Sequence, residues 1–177
     1  MDTKTRKMLL ALAREAIMNP ENTGRLMERK IISRNAGVFV SVYVDDDLRG
    51  CIGSLEPIGL QKGIIEHALL AAYNDSRFEQ IHEDEFQKMK IHINILSEPK
   101  PVGFSSPEAL LKKLDKSKGY IISKGYRRAT FLPSVWEQLP DKEEFLEHLC
   151  AKAGLRPDEW KAKGFNVEEY GSEEFSE

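Results

Sequence analysis

Cysteine is scarce in this chain of 177 residues: there are two, Cys51 and Cys150, and they form no Cys-x-x-Cys pair. Without an export signal or a clustered set of thiols no disulfide framework is expected, and both read as reduced. The four histidines and two cysteines also make no spacing that holds zinc or iron, so no metal and no cofactor is implied. Long apolar runs are missing too. Met8–Ala13 is too short for a membrane span or a signal core, and Arg14 and Glu15 follow it directly, so the chain reads as cytoplasmic with no membrane partner. No Gly-x-x-x-x-Gly-Lys-Ser/Thr loop is there to cradle phosphates, and no internal repeat stands out. Charge of one sign is not in excess, with 26 Lys and Arg against 29 Asp and Glu for a net −3. Five of the glutamates fall in the last thirteen residues, which leaves +2 on residues 1–164. So weakly basic a body gives no electrostatic footprint for nucleic acid.

What is present is the composition of an ordinary globular domain, 41% hydrophobic and 31% charged. Residues 4–18 have helical spacing that Asn19-Pro20 ends. Asn22–Arg34 is polar and locally basic, and reads as a solvated connection, with a phosphate-facing patch as the alternative. Val38–Val44 is a strand, Asp45-Asp46-Asp47 a turn, and Leu60–Tyr73 a largely buried helix in which His67 is a packed histidine. His82-Glu83-Asp84-Glu85 lacks the second histidine of a His-Glu-x-x-His zinc helix and reads as a short helix start. Lys90–Leu96 alternates strictly, with Ile91, Ile93 and Ile95 on one face and His92 and Asn94 on the other. Downstream, Ser106-Pro107 starts a helix, Lys124-Gly125 turns a hairpin, Asp141–Gly154 is a helix burying Cys150, and Phe165–Tyr170 returns as a strand. Hairpins dominate. The expected fold class is therefore α+β, mainly antiparallel sheet flanked by helices. We expect one domain over 1–177, with division into lobes near Pro99 and Pro101 (about 1–98 and 99–164) an open option, and a solvated acidic tail over 165–177.

The stretch with most chemistry is Leu48–Leu55, the second arm of the first hairpin. Strand alternation puts Leu48, Gly50, Ile52 and Ser54 on one face and Arg49, Cys51, Gly53 and Leu55 on the other, so a cation stands beside a thiol. Gly50 and Gly53 bracket the cysteine, and glycine inside a strand marks close approach of a backbone or a ligand. A neighbouring guanidinium favours thiolate. The competing reading is equally physical: Cys51 is a small buried residue, with Arg49 bound to a carboxylate or carbonyls.

Leu48-Arg49-Gly50-Cys51-Ile52-Gly53 resembles the signature of the AmmeMemoRadiSam system protein A family, the AMMECR-type domain. Three further stretches match in the family's order: Asp75-Ser76-Arg77-Phe78, Ala129–Trp136 and Lys152-Ala153-Gly154-Leu155. The resemblance spans nearly the whole chain and implies the same α+β class. It also implies a setting beside Memo-type and radical-SAM proteins, but no settled reaction. Tyr126 departs from the small residue that family members often carry beside the second hairpin turn.

Three functions stay open on the sequence. In an enzyme or enzyme subunit, Cys51 is nucleophile or redox centre, Arg49 activates it or holds an anionic substrate, and Asp75, Arg77 or His92 handles protons. In a non-catalytic binding or adaptor module, Arg49 with Gly50, Gly53, Arg77 and Thr130 grips a partner or small ligand. RNA binding through Arg25–Arg34 and Arg127–Arg128 ranks last, because no aromatic recognition motif accompanies those charges.

Overall fold

Strands rich in valine and isoleucine, each with one apolar and one mixed face, need a helix layer on the apolar side. The computed structural model describes all residues from Met1 to Glu177, and it meets that need twice. The chain divides into two units, Met1–Leu96 with Glu173–Glu177, and Ser97–Ser172. The architecture is α+β, with two four-stranded antiparallel sheets and five α-helices. No helix is long and apolar enough to cross a membrane.

In the first unit α1 (Thr3–Met18) and α3 (Leu60–Tyr73) pack on a sheet of β1 (Asn35–Val44), β2 (Asp47–Gly59), β3 (Met89–Leu96) and β8 (Ser172–Ser176), in the order β2-β1-β3-β8. Val38, Val40 and Val42 with Ile91, Ile93 and Ile95 form the apolar face, wholly buried against Leu9, Leu12, Ile17, Ile64 and Ile65. Asp45 and Asp46 make the two-residue hairpin turn between β1 and β2, both with positive φ, and pair with Lys88 and Lys90. Aspartate tolerates that backbone, which is why a cluster of carboxylates here is turn chemistry. His67 is buried with its Nδ1 3.1 Å from the Val38 carbonyl, and burial lowers its pKa.

Two expectations need correction. The connection after α1 is not merely solvated: it contains α2 (Thr23–Glu28), whose Leu26 is fully buried. The buried Gln61 amide donates to the carbonyls of Leu26 and Arg29 and accepts from Ile31 N at 3.0 Å, satisfying a helix end. The acidic end is not a free tail either. β7 (Asn166–Tyr170) and β8 both lie in it, Phe175 is buried, Glu173 binds the N-terminal amine and Arg6 at 2.8 Å each, and Glu177 binds Arg14. The glutamates are placed by partners far away in sequence, and charge runs carry no trace of these.

The second unit has the sheet β4-β7-β5-β6, with β4 (Lys100–Pro101), β5 (Gly119–Lys124) and β6 (Arg127–Phe131). Its core gathers Leu110 of α4 (Pro107–Lys113), Phe145, Leu149 and Cys150 of α5 (Lys142–Lys152), and Tyr120, Trp136 and Trp160. Trp136 stacks on Phe145 at 3.6 Å between centroids. The hairpin turn is Gly125-Tyr126, one residue later than the sequence suggests, since Lys124 pairs with Arg127 and Gly125 takes the positive φ.

Candidate functional site

β2 is an edge strand, and an edge leaves outward-facing N–H and C=O groups to be satisfied. At Cys51 both are closed from the corner after α3. The Cys51 amide donates to Asp75 Oδ2 at 2.9 Å, and the Cys51 carbonyl accepts from Arg77 Nη2 at 3.0 Å. Arg77 also donates to Asp75 through Nε at 2.9 Å and Nη2 at 2.6 Å, so the pair imitates a neighbouring strand. The Asp75 side chain is 4% exposed and the Arg77 side chain 60%. The guanidinium, then the Cys51 and Arg77 amides, hold the Asp75 carboxyl well below the usual carboxylate range. Asp75 is therefore ionised and fully engaged, which is unlike a group that shuttles protons.

Arg49 behaves differently from the strand reading. The pairing of Val42 with Gly50 and of Tyr43 with Leu48 leaves Arg49 as the extra residue of a bulge, with no partner on β1. Strict alternation is interrupted there, so Leu48 and Gly50 do not share a face. The Arg49 guanidinium is tied to Glu85, which also caps the turn at His82, and reaches the Gln80 carbonyl at 3.2 Å. Hydrogen bonding to Arg49 lowers the Glu85 pKa. The cation engaged with Cys51 is Arg77, through the carbonyl.

The flanking glycines have packing reasons. A Cβ on Gly50 would lie 1.9 Å from the Ala71 carbonyl oxygen of α3, and one on Gly53 would lie 2.3 Å from the Phe39 ring. Gly50 answers to a backbone and Gly53 to an aromatic side chain. No ligand is needed to account for either.

The Cys51 side chain, half-buried, sits in a row. Cys51 pairs with Ser41 on β1, and Ser41 pairs with His92 on β3, so all three side chains lie on the face opposite the valine core. Tyr43, on the same face, meets His92 with the rings tilted by 38° and their centroids 4.5 Å apart, and burial raises its pKa. His92 is not beside Cys51 as a base: with β1 between them, their backbones are about 10 Å apart, two strand spacings. Ser41 and Tyr43 carry no role in the sequence reading, and Glu85 enters it only within the His82–Glu85 helix start. The alternation of Ser41 and Tyr43 with Val40, Val42 and Val44 was the available signal for the first two.

Thr130 lies in the second unit. Its hydroxyl donates to the Tyr120 carbonyl at 2.9 Å and meets the Tyr170 hydroxyl at 2.8 Å, tying β6 to β5 and β7. Cys150 is buried, and burial pushes its thiol up to about 11. No group of three or more His, Cys, Asp or Glu side chains is arranged to hold a metal ion.

The sequence profile of the AMMECR1 family matches residues 10–175, taking in β2, the Asp75 corner and Thr130 together. The chain belongs to the AMMECR1 family. Protein MK0488 of Methanopyrus kandleri is 35% identical over 97% of this chain and 87% of its own length. Protein Mbar_A1807 of Methanosarcina barkeri is 35% identical over 94% of this chain and 82% of its own. The crystal structure of the uncharacterized protein PH0010 from Pyrococcus horikoshii superposes with a TM-score of 0.85 at 30% identity, over all of this chain and 93% of that one. The AMMECR1 fold is thus shared along the whole length.

Proposed function

We propose that this AMMECR1 protein acts as an enzyme, or as the substrate-holding subunit of one, with the Cys51 thiol as the group that meets the substrate. The observation carrying this is the double clasp of Asp75 and Arg77 on the Cys51 backbone. It fixes the residue in two directions while leaving its side chain on the polar face with Ser41, Tyr43 and His92, and holding a reacting atom in place is how a scaffold prepares a site. In this reading Arg49, Gly50 and Gly53 are positioning residues, Asp75 and Arg77 the clasp, and His92 with Tyr43 a wall of the site. The setting is a modification system beside Memo-type and radical-SAM proteins in the cytoplasm, an assignment that rests on the resemblance of the four sequence stretches to system protein A.

A second reading, a binding or adaptor module without catalysis, draws on the same geometry. Arg49 and Arg77 are already paired inside the chain, with Glu85 and Asp75. Alkylation of the native protein with iodoacetamide at pH 7.5, read by peptide mass, separates the two. The enzyme reading expects Cys51 to label while Cys150 stays protected. If both thiols resist until the chain is unfolded, the enzyme reading fails and the binding module stands.

A further inference from the structure

The α2–β1 connection, at the far end of β2 from Cys51, forms a cavity of about 570 Å³ with the start of α3. Four cations line it, Arg29, Lys30, Arg34 and Lys62, and no carboxylate does. Two are already neutralised: Arg29 binds both oxygens of Glu15 at 2.6 and 2.7 Å, and Lys62 lies 3.6 Å from Glu66. Lys30 and Arg34 are exposed and have no carboxylate partner. A protein with more acidic than basic residues thus leaves two positive charges without a carboxylate partner in the wall of one cavity.

That wall is held from behind. Gln61, itself buried, fixes residues 26–31 through its amide, the Leu60 amide donates to the Arg34 carbonyl at 2.8 Å, and Asn35 pairs with Gly59. Ser33 and Asn35 bring neutral donors to the same rim, and Met27 with Ile31 and Ile32 supplies an apolar side. We propose that this cavity binds the phosphate group of a phosphorylated small ligand. Two free cations match a phosphate monoester, which carries about −1.5 to −2 at neutral pH, and a guanidinium offers it a two-pronged hydrogen bond. The apolar side takes the body of the ligand. The site shares no residue with Cys51, so it stands or falls separately from the reading above.

The full-length ¹⁵N-labelled protein titrated with inorganic phosphate at constant ionic strength tests it, alongside sedimentation with phosphatidylcholine vesicles with and without phosphatidic acid. Saturable shifts of the Ser33, Arg34 and Asn35 amides are expected. They should weaken by on the order of tenfold in each of Lys30→Ala and Arg34→Ala, the loss of one charge-assisted hydrogen bond. Arg25→Ala, outside the cavity, should leave them unchanged. Retention on phosphatidic acid vesicles that the Lys30→Ala/Arg34→Ala variant loses, without response to free phosphate, assigns the same phosphate chemistry to a lipid headgroup. Absence of both responses, or binding unaltered in the double variant, overturns the proposal.

Discussion

Replacing Asp75 by asparagine keeps the shape of the side chain and removes the charge on which the clasp depends. The carboxylate accepts from Cys51 N at 2.9 Å and from Arg77 Nε and Nη2 at 2.9 and 2.6 Å. An amide in its place has one acceptor atom and turns an N–H toward a donor. Losing one such set of charge-assisted bonds costs about 2 kcal/mol, discounted here because the Arg77 side chain is 60% exposed and screened by water. Amide exchange at Cys51 reads this locally, and about 2 kcal/mol corresponds to exchange roughly 30-fold faster. The pH dependence has a definite sign. The folded pKa of Asp75 is depressed, so its stabilisation is complete above the unfolded value of about 3.9 and is lost as pH falls from there toward the folded pKa. The gap between wild type and Asp75→Asn should be constant from pH 5 to 8 and shrink below pH 4. An unchanged Cys51 exchange rate at pH 7, or a gap that widens with acid, would refute the clasp.

Gly50→Ala forces a Cβ to 1.9 Å from the Ala71 oxygen and should destabilise by about 3 kcal/mol in urea unfolding, whereas Gly103→Ala, with nothing within 4 Å of its Cβ, should be within about 0.5 kcal/mol of wild type. Deleting residues 173–177 removes buried Phe175 and should cost about 2 kcal/mol or more by the same assay, where a solvated tail would cost nothing. His92→Ala should leave the alkylation rate of Cys51 within twofold, because a whole strand lies between them and their backbones are about 10 Å apart; a tenfold fall would show that the ring acts on the thiol after all.

Much of the fold was legible because it follows from local periodicity. The valines of β1 and the isoleucines of β3 repeat every second residue, the apolar positions of α3 and α5 follow helical spacing, and Asp141 and Ser106 announce helix starts as caps. The acidic end was misread because its strand is specified by distant partners, the N-terminal amine, Arg6 and Arg14. The neighbours of Cys51 were partly misassigned for the same reason. Sequence marks Arg49 and Cys51 as notable, but a single extra residue in the pairing of β2 breaks the parity on which side-by-side placement relied.

The sequence by itself determined the α+β class, most of the strands and helices and the family-typical stretches, since side-chain chemistry and spacing along one strand or helix suffice for these. Only the tertiary structure decided which cation serves Cys51. Asp75 and Arg77, more than twenty positions away, reach the backbone of Cys51 because the corner that follows α3 comes down beside the open edge of β2, while Arg49 is drawn to Glu85. Pairing across such a separation depends on where helices and strands come to rest against one another, and no local pattern encodes that.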